Sequence, residues 1–130
     1  MSALPWKYFA SPESDREYTA LVSYLPLNKF RALPKFIRYT RQIQRQLAGS
    51  EGLIGYSMDA NIAGKEFWTL SVWEDAEELR RFVHRSPHDE VMRDLLADMG
   101  QTEFVRWKAS GSSIPLDWEA AKERVRERKT

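Results

Sequence analysis

Two histidines, His84 and His88, stand four residues apart with Ser86-Pro87 between them. Imidazole has a proton affinity near neutral pH, so acid–base transfer is the chemistry these residues offer. A metal site is not expected, because the Pro breaks helical register between the rings and no carboxylate cluster converges on them by spacing. The chain has no Cys, which excludes a thiolate nucleophile, a Cys-ligated zinc, an iron–sulfur cluster and a disulfide framework. His88 falls in the first turn of a predicted helix, where its ring either reaches a pocket mouth or lies exposed. His84, five residues after Leu79 and off the apolar stripe, reads as solvated. Ser71 and Arg106 join His88 as candidate catalytic residues, the first a hydroxyl and the second a cation. Arg106 either holds an anionic substrate or bridges to a partner subunit. Ser23, Tyr24, Phe67, Thr69, Trp73, Phe82 and Met92 are candidate substrate-binding residues, aromatic or apolar with a few hydroxyls, as small-molecule pockets require. Trp73 has a second reading as a core or interface aromatic.

The elements that must position these side chains follow from periodicity. Tyr18–Leu25 is a strand that Pro26 ends. Pro34 opens a helix whose stripe is Phe36, Ile37, Thr40, Ile43 and Leu47, closed by Gly49. Leu53–Asp59 and Glu66–Trp73 are two strands joined by residues 60–65, whose Asn61 and Gly64 suit a hairpin loop with positive φ. Asp75 caps a second helix with Leu79, Phe82 and Val83 inward. Ser86-Pro87 splits that helix, with Ser86 as a new cap, and Val91, Met92, Leu95, Leu96 and Met99 continue its inward stripe to Gly100. Thr102–Ala109 is the fourth strand. After Pro115, Trp118, Ala121 and Val125 mark a short amphipathic helix.

The resulting order is βαββαβ, an α+β fold with a four-stranded antiparallel sheet, helices on one face and an extra C-terminal helix. With 130 residues the chain is the size of one domain and buries roughly two-thirds of its unfolded surface. The expected division is an arm at 1–17, with aromatics Trp6, Tyr8 and Phe9 packed on something, the α+β domain at 18–109, and a linker with the C-terminal helix at 110–130. On the Glu66–Trp73 strand, Trp68, Leu70 and Val72 form a plain apolar face and Phe67, Thr69, Ser71 and Trp73 a mixed one. The mixed face is expected on the side the helices leave open, where a partner sheet or a ligand would cover it.

Lys and Arg total 20 against 19 Asp and Glu, so net charge argues for no particular partner. Lys29, Arg31, Lys35, Arg38, Arg41 and Arg45 form a basic run without an acid between Tyr18 and Ser50. It reads as a solvated helix face balanced by Glu74, Asp75, Glu77 and Glu78. Nucleic-acid binding is not expected, because the third strand lacks the glycines of an RNA-recognition motif. No apolar stretch reaches the length of a membrane span and no signal peptide is apparent, so a cytoplasmic location is the default.

The segment Phe67-Trp68-Thr69-Leu70-Ser71-Val72-Trp73-Glu74-Asp75-Ala76-Glu77-Glu78-Leu79, followed by Phe82 and Ser86-Pro87-His88, resembles the strand-to-helix signature of antibiotic-biosynthesis-monooxygenase-like domains. Gly52-Leu53-Ile54-Gly55-Tyr56 is similar to their second strand, and the likeness spans about Tyr18 to Lys108. The resemblance implies a ferredoxin-like fold of the dimeric α/β-barrel superfamily. Two sheets would close into a barrel in a homodimer, and each subunit would keep a cavity between sheet and helices for a small apolar or aromatic ligand. It also implies a monooxygenase-like enzyme working on an aromatic or polyketide-like substrate with no metal or cofactor, in a pocket that stabilises a substrate anion before oxygen adds. The alternative is a non-catalytic dimeric ligand-binding module. Haem-degrading members of the superfamily use an Asn on the first strand, a Trp on the helix after the third, and a His beyond it. Aligned on Val72-Trp73, the Trp position falls on Phe82 and the His position on or next to Met92, and the first strand has no Asn. Haem chemistry of that kind is not expected.

Overall fold

Period-two alternation and helical stripes build a sheet with helices on both of its faces. The computed structural model describes residues 2–129, with strands β1 (Ser2–Ala3), β2 (Lys7–Tyr8), β3 (Glu17–Pro26), β4 (Leu53–Asn61), β5 (Glu66–Trp73) and β6 (Glu103–Ser110). The helices are α1 (Leu33–Ala48), α2 (Ala76–His84), α3 (His88–Leu95) and α4 (Trp118–Lys129). All pairings are antiparallel, in the order β4-β5-β3-β6, and the arm strands β1 and β2 both pair with the outer edge of β4. The sheet is therefore five strands wide rather than the expected four, its fifth position filled in two pieces by the arm. Gly55 permits this, since a Cβ there would lie 2.5 Å from Trp6 Nε1 and 2.7 Å from the Lys7 carbonyl oxygen. In the β4–β5 turn the positive φ falls on Lys65, at 57°, and not on Asn61 or Gly64.

Helices α1, α2 and α3 cover one face. Phe36, Val91, Leu95 and Met99 pack with Leu25 and Phe67, while Leu47, Leu79 and Phe82 pack with Tyr56 and Trp73. Asp75 caps α2 as expected, its side chain accepting the Glu78 N–H at 2.9 Å. The second cap differs. Pro87, which lacks a side-chain acceptor, is the N-cap of α3, and the carboxamide oxygen of Gln46 on α1 accepts the His88 N–H at 3.0 Å instead. Leu96 leaves the inward stripe and is 69% exposed, because α3 ends at Leu95 and a tighter turn at Leu96–Asp98 rotates it outward.

The two sheet faces are reversed from expectation. Phe67, Thr69, Ser71 and Trp73 lie beneath α1–α3, while the face of Leu70 and Val72 is covered by α4, Leu116 and Trp6. Ala20, Val22, Leu70 and Val72 are all 0% exposed in the single chain. On α4, Ala121 and Val125 press on Val22 and Leu70, and Lys122 pairs with Asp59 on β4 at 2.6 Å. Trp118 Nε1 donates to Ser57 Oγ, which in turn donates to the Leu4 carbonyl, tying α4, β4 and the arm together. The face expected to meet a partner sheet is thus closed from within, because the C-terminal stripe is apolar enough to cap it. In the single chain the side of the sheet opposite α1–α3 is therefore covered rather than open.

Candidate functional site

Strand alternation and register lay out a grid of side chains beneath α1–α3. One row across the sheet is Arg106, Leu21, Ser71 and Tyr56 on β6, β3, β5 and β4. The row on one side is Lys108, Thr19, Trp73 and Leu53, and on the other Phe104, Ser23, Thr69 and Met58. Leu21, Ser71, Tyr56, Trp73, Phe104, Ser23, Thr69, Met58 and Arg106 line a cavity of about 1090 Å³ whose opposite wall comes from the three helices. A volume at the upper end of ligand pockets and a lining dominated by apolar and aromatic groups suit a small organic molecule.

Of the expected site residues, His88, Ser71, Arg106, Ser23, Phe67, Thr69, Trp73, Phe82 and Met92 all line this cavity. Tyr24 does not. It points to the α4 face, packs tilted against Trp68 at 4.7 Å between centroids and donates its hydroxyl to Glu66 at 2.7 Å. Burial first, then the Glu66 carboxylate, pushes its phenol up to about 12. The reason is parity: Tyr24 is one residue from Ser23 on a strand, so the two cannot share a face.

Trp73, Phe82 and His88 form a continuous aromatic wall, with centroids 5.1 Å apart for the first pair and 5.0 Å for the second. The indole N–H of Trp73 donates to Ser71 Oγ at 3.0 Å. That bond fixes Ser71 as an acceptor toward Trp73 and leaves its own O–H to donate.

His88 is the most constrained polar group of the site. Its Nδ1 lies 3.1 Å from the Val83 carbonyl oxygen, which can only accept, so Nδ1 carries the proton. Burial lowers the imidazole below its ordinary value of 6.5, against smaller opposing effects of the Val83 carbonyl and Asp89. The ring is therefore neutral at pH 7 with its lone pair on Nε2, for which no hydrogen-bond partner exists among the described residues. Gln46 sets the position. Besides capping His88, its amide nitrogen donates to the carbonyls of Phe82 at 3.2 Å and Arg85 at 3.3 Å, clipping the α2–α3 break from α1. Sequence reasoning missed Gln46 because its partners are backbone atoms of other elements, which leave no local pattern. It also missed Tyr56 and Phe104, although their alternation with known inward positions could have found them.

Among the described residues no group of His, Cys, Asp or Glu side chains is arranged to hold a metal ion, and no helix is long and apolar enough to cross a membrane. The basic residues Arg38, Arg41 and Arg45 on α1 are exposed, as a solvated face would be.

Solved structures share the fold. A conserved protein from Methanosarcina mazei Go1 aligns at 16% identity and a TM-score of 0.62, covering 69% of this chain and 90% of that one. SnoaB, a cofactor-independent oxygenase from Streptomyces nogalater, aligns at 15% identity and 0.60, covering 72% and 94%. An antibiotic biosynthesis monooxygenase aligns at 12% identity and 0.64, covering 70% and 97%. No curated protein matches the sequence. Residues 35–130 match the family model described as a domain of unknown function, DUF3291. A match over more than half of its length makes the chain a member of the DUF3291 family, on the ferredoxin-like fold of antibiotic-biosynthesis-monooxygenase-like proteins.

Proposed function

We propose that the cavity is the active site of a monooxygenase-like small-molecule enzyme that oxidises an aromatic or polyketide-like substrate without a metal. The observation that carries this reading is the neutral His88, its Nε2 lone pair unspent, in the wall of a large apolar cavity. Nε2 takes a proton from a phenol or from a methylene acidified by a neighbouring carbonyl. Ser71 donates its O–H to the resulting oxyanion. The electron-rich anion then reacts with dioxygen, and loss of water from the hydroperoxide leaves a ketone at the carbon that was the methylene or, in a phenol, the ring C–H para to the hydroxyl. One oxygen atom ends in the ketone and the other in water, and the substrate carbon supplies the electrons for both. SnoaB, a fold relative, is a cofactor-independent oxygenase, which supports oxygen chemistry of this class in such a cavity. A homodimer belongs to the proposal only with a contact that leaves α4 in place or exchanges it between copies.

The test is oxygen uptake over a panel of quinols and phenols with the wild type and His88→Asn. The Asn amide can keep the hydrogen bond to the Val83 carbonyl and lacks the Nε2 base. Loss of turnover by about a hundred- to ten-thousand-fold with ligand binding retained is the expected result. The size and apolar lining of the cavity also suit a non-catalytic binding module. Ligand binding with no oxygen consumed by any substrate would establish that second reading in place of the first.

A further inference from the structure

The charges around the cavity are unbalanced. Arg41, Arg80, Arg106 and Arg128 contribute to its lining, against a single carboxylate, Asp59. Asp59 is spent on Lys122, and Arg80 is spent on Glu77 at 2.5 Å. Arg106 is exposed on β6, and its guanidinium has no ion pair or hydrogen bond among the described residues. Arg128 donates to the Phe104 carbonyl at 3.0 Å, which brings a second guanidinium to the same strand. Phe104, on the same sheet face as Arg106, is 41% exposed, an apolar surface beside the cation.

Resting on the reading of this cavity as a small-molecule site, we infer that its ligand is an anion, an aromatic acid whose carboxylate seats on Arg106 while its ring lies in the cavity. Arg106 and Ser71 flank Leu21 in one row, their backbones two strand spacings apart, about 10 Å. Leu21, half-buried between them and facing the cavity, is an apolar floor for the body of the acid. A guanidinium reads a carboxylate through paired N–H donors, so the mouth selects acid from neutral analogue and aligns the ring system toward the His88 wall. Arg106 is on this account a specificity residue, separate from the proton-transfer group.

The experiment is calorimetric titration of the full chain with a naphthoate and with the matching neutral naphthamide, for the wild type, Arg106→Gln and Arg106→Lys. Circular dichroism checks that the exposed substitution leaves the fold intact. Expected are a preference of about tenfold or more for the acid in the wild type, its loss in Arg106→Gln with amide binding unchanged, and partial retention in Arg106→Lys. Equal binding of acid and amide in the wild type, or a preference that survives Arg106→Gln, overturns the inference while leaving the cavity as a ligand site. Binding of neither compound overturns the reading of the cavity as well.

Discussion

Replacing Lys122 with Met should destabilise the fold far more than a surface substitution would. Its ammonium lies 2.6 Å from Asp59 Oδ2, with the two side chains only 6% and 2% exposed. The same ammonium sits 5.2 Å from the Trp68 ring and 5.6 Å from the Trp118 ring. The Asp59 Oδ1 atom already lacks a partner among the described residues, so removing the lysine strands a buried carboxylate with no counter-charge. Breaking a buried pair from one side costs about 3–5 kcal/mol. For a domain of this size that is a fall in Tm on the order of 10 °C or more. Lys122→Met with Asp59→Leu removes both charges and should recover most of the loss, because desolvation of the pair offsets much of its attraction. Urea unfolding of wild type, single and double variants measures this. A single variant within about 1 kcal/mol of the wild type, with an unchanged slope against urea, would refute the docking of α4 on β4.

Two further outcomes follow from the site and from the covered face. Because burial lowers the His88 imidazole below 6.5, the unfolded chain binds more protons than the folded one between the folded value and 6.5. Stability therefore rises with pH through that window and falls as pH drops below 6.5. Thermal unfolding against pH should lose this dependence in His88→Asn, and oxygen uptake by the wild type should show its acid limb below pH 6.5. Native mass spectrometry should find the full chain in one defined assembly that does not use the face beneath α4, whereas Val125→Asp, which places a charge against Val22 and Leu70, should release α4 and produce larger assemblies. A wild-type dimer that Val125→Asp dissociates would show instead that α4 is exchanged between copies.

Much of the fold was legible because its signals are local. Pro26, Pro34, Gly49 and Asp75 punctuate the chain where elements end or begin, and alternation on β3 and β5 separates the faces residue by residue. Which face meets which helices was not legible. Both faces of β5 are apolar enough to be buried, and their assignment depends on α4, whose stripe of Ala121 and Val125 says that it packs but not on what. The arm strands escaped detection because two-residue ladders carry no period. Nine of the ten expected site residues share the cavity, since strand parity places Phe67, Thr69, Ser71 and Trp73 together once one of them is right. Tyr24 failed by the same parity. The tautomer of His88 and the clip made by Gln46 depend on backbone carbonyls brought together only by tertiary packing.

The recurrent sequence and the folding unit do not have the same limits. The family match begins at residue 35, inside α1, yet β3 lies before it and holds the middle of the sheet between β5 and β6. A fragment trimmed to the matched boundaries would lose the hydrogen bonds that both neighbours make to β3. Leu21 and Ser23 would go from the cavity floor, and Val22 from beneath α4. The segment before the recognisable family sequence is thus the keystone of the domain, and any minimal version of this protein must begin no later than Glu17.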